Sequence, residues 1–340
     1  MNAIVHQPTQ VEPSGRRSVA GDYLRFWIGR ATYQPVDRPG AAWFLPLWGL
    51  SLAVAYACSV LVTIVVVSGG ATPPDNAVGE MVEQGSVLGL LLTAVVLAPL
   101  IEEVAFRLPM SLRPWHVAGG VAVLAIMFVP SLFGVSLGLA LAGDERQAVA
   151  GLLELGLVVA ITLGLGLVLR RLLPERSKHA PAEISPRVRY GVVVVLTLLF
   201  AAAHLSNFSE FTWFLPAFIV PQLLVGMVLA YVRLTRSWWM AVGIHALNNA
   251  VAVGFGLMPR YATTELAQGL AGLAILCLVA LLGLASATAL GVNLYRTWRA
   301  RHPTPPPHQP VAWAPIPSQP PPWPPQPVGP PASATTAVGE

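Results

Sequence analysis

The sequence predicts an all-α fold, a polytopic membrane bundle of about eight transmembrane helices. Three observations carry that expectation. Charged residues make up only 11% of the 340-residue chain and hydrophobic ones 55%, whereas a soluble domain carries about 25% charged residues. Apolar stretches recur along the chain, and most approach the roughly 20 residues that a helix needs to cross the hydrocarbon core. Basic residues crowd into every second connection, the asymmetry that Lys and Arg show toward the cytoplasm.

Taken in order, the apolar stretches run approximately over 43–68, 85–108, 117–141, 149–169, 189–206, 213–232, 238–257 and 270–294. The fifth is the shortest. Arg16, Arg17, Arg25, Arg30 and Arg38 precede the first, and Arg113 follows the second. Arg170, Arg171, Arg176, Lys178, Arg187 and Arg189 surround the connection after the fourth. Arg233 and Arg236 follow the sixth, and Arg296, Arg299 and Arg301 the eighth. The alternate connections hold Asp75, Glu80 and Glu83, then Asp144, Glu145 and Arg146, then Glu210, then Arg260 and Glu265. Both termini are therefore expected in the cytoplasm. This distribution accounts for the net charge of +4 and argues against nucleic acid as a partner. Basic residues at the cytoplasmic face fit anionic lipid instead.

Residues 1–40 read as a polar, basic cytoplasmic lead, partly disordered, without the apolar core of a cleavable signal peptide. The first span is expected to serve as an uncleaved insertion signal. Tyr23, Phe26, Trp27 and Ile28 lie close to Arg25 and Arg30, a mixture that suits either the membrane surface or a plain lead. Residues 41–295 form one membrane domain. Residues 296–340 form a cytoplasmic tail rich in proline (PTPPPHQP, SQPPPWPPQP). Such a tail favours extended polyproline II and builds no core; what it offers is a docking strip for a proline-reading partner. Cys58 and Cys277 fall within spans, with no metal or redox spacing.

Polar residues interrupt the apolar pattern at three places. Glu102, Glu103 and Arg107 sit at the end of the second span, in LAPLIEEVAFR. Residues four apart share a helix face, so Glu103 and Arg107 can pair while Glu102 points to a neighbouring face. His204 closes VVVVLTLLFAAAH, with Phe200 on its own face one turn earlier. His245, Asn248 and Asn249 interrupt WWMAVGIHALNNAVAVG, and His245 and Asn249 share a face. Each group alone has a structural reading: charges snorkelling at a helix end, an interfacial histidine, an asparagine bonded to a neighbouring helix. Together they are expected to converge, because polar groups in lipid find partners inside the bundle. Trp238 and Trp239 read as an interfacial aromatic belt.

EEVAFR resembles the EExxxR signature of the CPBP family, the CAAX-protease and bacteriocin-processing intramembrane peptidases. FAAAH, from Phe200 to His204, is similar to its FxxxH motif, and HALNN, from His245 to Asn249, to its HxxxN motif. The resemblance spans roughly residues 85–257. It implies an intramembrane endopeptidase with a peptide or membrane-protein substrate. It further implies Glu102 as the base that activates water, Glu103 and Arg107 as its support, His204 and His245 as orienting histidines, and Asn249 as an amide for the oxyanion.

Metal-free chemistry without a cofactor is expected. Zinc held by Glu102, His204 and His245 stays open, since two histidines and a carboxylate form a catalytic ligand set. A non-catalytic scaffold, immunity or regulatory protein on the same fold is the alternative function, and a proton-coupled carrier a third. The Ala-, Gly- and Pro-rich composition fits a bacterial cell membrane. One tension remains at this stage. At 1.5 Å of rise per residue, His245 lies roughly 10 Å from the cytoplasmic end of its span and His204 roughly 22 Å, a mismatch for two residues of one site.

Overall fold

The computed structural model describes residues 18–29, 40–72, 74, 85–133, 145–172, 185–208, 212–262, 264–302 and 329. Nine helical stretches follow one another among them: α1 (Val19–Trp27), α2 (Phe44–Ser68), α3 (Val87–Ser111), α4 (Pro114–Phe133), α5 (Glu145–Leu172), α6 (Pro186–Asn207), α7 (Leu215–Thr235), α8 (Trp238–Tyr261) and α9 (Glu265–Arg301). The described residues form no β-strand, so the fold is all-α. Two compact units divide the chain between Trp298 and Arg299, and α1 to α8 lie in the first.

Six helices are long and apolar enough to cross a membrane: α2, α3, α6, α7, α8 and α9. The expected count of eight is not reached among the described residues. α4 covers the first part of the third expected span, whose end at 141 lies outside the described residues. The fourth expected span coincides with α5, which is helical but is not one of the six. The fifth, expected to be the shortest, proves to be 22 residues long, because Pro186, preorganised for a first helical turn, starts α6 before the apolar run begins. Asp75, Glu80, Glu83, Asp144, Arg176, Lys178, Glu210 and the tail from residue 303 on (Gly329 apart) lie outside the described residues, while 296–301 continue α9 as helix.

α7 is the central helix. Half of its span is buried inside the protein, 50% against 11% for α9. Val225, Val228, Leu229 and Tyr231 of α7 pack with Leu47 of α2, Met110 of α3, Val193 and Leu196 of α6, and Met240 and Ile244 of α8. Outward-facing leucines and valines on α2 and α9 stay exposed, as a lipid-facing surface requires. Where two backbones approach, small residues meet. Gly49 faces Ser286 and the Leu282 carbonyl, and a Cβ at Gly283 would lie 2.7 Å from that of Ala53, which brings α2 and α9 together.

The lead is not simply a solvated arm. Ser18 caps α1 by accepting from the Gly21 amide at 3.0 Å, and Val19 and Phe26 are fully buried. The Val19 amide donates to Asn293 Oδ1 of α9 at 2.8 Å. Tyr190 of α6 donates its hydroxyl to the Trp27 carbonyl at 2.6 Å. The rings of Tyr23 and Phe26 meet Tyr231 edge-on at 5.3 and 5.6 Å. Burial pushes the Tyr23 phenol up to about 12, so it stays neutral in this cluster. Val19, Tyr23, Phe26 and Trp27 are thus spent on protein contacts that tie α6, α7 and α9 at one end, while Leu24 and Ile28 stay exposed.

Candidate active site

The site grows from the broken geometry of α3. Pro99 has no amide hydrogen to give, and the helix widens on both sides of it, into π-helical turns at Leu91–Leu97 and Glu103–Arg107. Such π turns inside α-helices are frequent at functional sites. In the second, the Leu108 amide reaches back to the Glu103 carbonyl at 3.0 Å. That carbonyl accepts a second bond from the Trp238 indole of α8, at 3.3 Å.

Both carboxylates face inward. Glu103 and Arg107 are fully buried, with Arg107 Nε 3.6 Å from Glu103 Oε1. The guanidinium carbon lies 3.7 Å from the centre of the Phe200 ring, a cation–π contact out of water. Arg233 Nε donates to the Arg107 carbonyl at 3.3 Å, which holds α7 against this turn.

His245 lies between the two acids. Its Nδ1 is 3.0 Å from Glu103 Oε1, and its Nε2 is 3.6 Å from Glu102 Oε2. His204 approaches the same Glu102 oxygen, Nε2 at 3.9 Å, while its Nδ1 lies 2.8 Å from the Phe200 carbonyl. A carbonyl only accepts, so His204 carries its proton on Nδ1; an ionised Glu103 sets His245 the same way. In the neutral rings both Nε2 lone pairs then face Glu102. Its Oε2 is buried without a hydrogen-bond partner. Three acceptors around one gap call for a donor between them, and water or a proton meets that need. The side chains of Glu102 and His204 keep 18% and 15% exposure, that of His245 only 4%.

The depth mismatch between the histidines dissolves in the packing. Phe200 meets His204 at 4.7 Å and His245 at 5.7 Å between ring centres. Gly226 of α7 leaves room for this ring: a Cβ there would lie 2.9 Å from Phe200 Cδ1. Rise along a helix measures depth only for straight helices normal to the membrane, and side-chain reach adds to what tilt supplies.

The third motif divides its work. Asn249 Nδ2 donates to the Ala94 carbonyl in the first π turn at 2.8 Å, so one amide hydrogen supports α3 rather than a substrate. Asn248 Nδ2 donates to Ser51 of α2 at 2.7 Å. Trp238, read as part of an aromatic belt, instead supports Glu103, whereas Trp239 is 70% exposed. Arg233, read as a lipid-facing charge, is partly buried against Arg107. No pattern in the sequence singled out the π turns or these two supports, because each depends on a partner from another helix.

One of three comparisons with known proteins gives a match. Residues 84–251 match the family described as type II CAAX prenyl endopeptidase Rce1-like. Neither the search of curated proteins nor that of solved structures returned a match. The matched stretch runs from the start of α3 through Asn249 and contains all three motifs. Over residues 84–251 the chain is thus similar to the Rce1-like endopeptidases, consistent with the CPBP signature.

Proposed function

We propose that the protein is an intramembrane endopeptidase whose base is Glu102. The observation that carries this reading is the approach of both histidine Nε2 atoms to one orphaned carboxylate oxygen, at 3.6 and 3.9 Å. A water there gives one hydrogen bond to Glu102 and one to an imidazole, leaving an oxygen lone pair free. That lone pair attacks the substrate carbonyl carbon as Glu102 takes the proton. Collapse of the tetrahedral intermediate breaks the C–N bond, and the Glu102 acid passes its proton to the leaving amine. Asn249 has a second amide hydrogen, the donor assigned to the oxyanion. Glu103 orients His245 through Nδ1, and Arg107 balances the Glu103 charge.

Zinc on Glu102, His204 and His245 is the alternative to this metal-free reading. Among the described residues no group of three His, Cys, Asp or Glu is arranged to hold a metal ion, and no step is drawn through one. The rest of the reading follows the sequence: a bacterial cell membrane, cytoplasmic termini, anionic lipid against the basic connections, and a proline-reading partner for the tail. The substrate is a membrane-associated peptide or protein.

Membrane peptidomics of cells carrying the wild type or Glu102→Gln tests the assignment. The expected result is a set of products that vanishes in Glu102→Gln at equal membrane abundance and persists when a zinc chelator is added. Identical inventories would leave the scaffold, immunity or regulatory reading in its place.

A further inference from the structure

A cavity of about 320 Å³ opens on the far side of His245, between α2, α7 and α8. Its inner wall is buried Leu52, Pro221, Val225 and His245, and it widens toward exposed Ser59 and Ala252. Three further lining residues hold unspent polar groups. Gln222 makes no side-chain hydrogen bond among the described residues, and neither does the Tyr56 hydroxyl. Asn248 Oδ1 is buried without a partner, while the other end of its amide is pinned on Ser51. Unpaired polar groups at membrane depth are costly and find partners. A larger groove of about 420 Å³ beside Trp213 and Phe214 is lined by aliphatic and aromatic side chains; that lining suits a lipid chain, whereas this one does not.

We propose that the cavity is the subsite for the substrate chain next to the scissile bond, and that Gln222 reads its backbone. The inference rests on the protease reading above. A chain unwound for cleavage in the membrane presents bare N–H and C=O groups. The planar Gln222 amide offers one acceptor and two donors, the complement of one residue's backbone pair. Asn248 Oδ1 and the Tyr56 hydroxyl serve the neighbouring groups. Apolar Leu52, Val225 and Phe255 contact the substrate side chain. Among the described residues no Asp, Glu, Lys or Arg lines the cavity, so a charged substrate residue entering it finds no counter-ion there and is rejected. Gln222 is thus a specificity residue for extended, uncharged substrate segments.

The test uses the full-length protein in membranes and the products that depend on Glu102. In Gln222→Leu, which keeps size but removes both hydrogen-bonding functions, those products should form roughly 30-fold more slowly, since two backbone bonds at about 1 kcal/mol each are lost. The wild-type products should show uncharged residues on at least one flank of the cut. Unchanged rates and products in Gln222→Leu overturn the proposal, and so do charged residues accepted on both flanks. If Gln222→Leu fails to accumulate, the wild-type flank profile decides. An absence of any Glu102-dependent product instead overturns the protease reading, and this one falls with it.

Discussion

Replacing Arg107 by Met isolates the charge pair at the base of the site. Met keeps the length and apolar stem of the side chain, so little cavity is created. What disappears is a unit charge 3.6 Å from Glu103 Oε1 and 3.7 Å from the centre of the Phe200 ring. At an effective dielectric of ~20, two charges at that separation interact by about 4–5 kcal/mol. Breaking a buried pair from one side costs about 3–5 kcal/mol, because the remaining charge stays out of water. Glu103 would keep His245 alone. SDS-titration unfolding in mixed micelles reads the loss directly, and about 3–5 kcal/mol is expected. Adding Glu103→Gln removes the stranded charge while an amide oxygen still accepts from His245 Nδ1. The double variant should therefore recover roughly 2 kcal/mol relative to Arg107→Met, a coupling within the range for residues in contact. A single-variant loss under about 1 kcal/mol, or strictly additive effects, would refute the view that these two groups are held by each other.

Two further outcomes follow from the same packing. In Gly226→Ala the new methyl would lie 2.9 Å from Phe200 and 3.3 Å from Thr197; since Arg107 and both imidazoles confine the ring, the variant should lose about 1–3 kcal/mol and at least ~10-fold in cleavage rate, and wild-type cleavage would show that Phe200 does not position the histidines. Trp238→Phe removes the indole bond to the Glu103 carbonyl, so micellar unfolding should show a loss of about 1 kcal/mol with slower cleavage; a stability equal to wild type would return Trp238 to the aromatic belt.

Much of this protein was legible before any coordinates. The shortage of charge and the length of the apolar runs decide that the chain lies in a membrane, since both are properties of composition and need no partner. The four-residue spacing of Glu103 and Arg107 decides their pairing, because a helical turn brings them together locally. The polarity of Glu102, His204 and His245 marks them as a set, since each is out of place in lipid. Tertiary structure alone decided the rest. Whether His204 reaches Glu102 depended on the crossing of α6 and α7 at Gly226 and Phe200, not on rise along either helix. In α1, Val19 and Phe26 became buried anchors because Asn293 and Tyr231, more than 200 residues away, receive them. Asn248 and Asn249, adjacent and chemically identical, parted company because one faces Ser51 and the other a carbonyl freed where α3 widens into a π turn. A sequence states which groups cannot remain in lipid unpaired; only the packed helices state which partner each one takes.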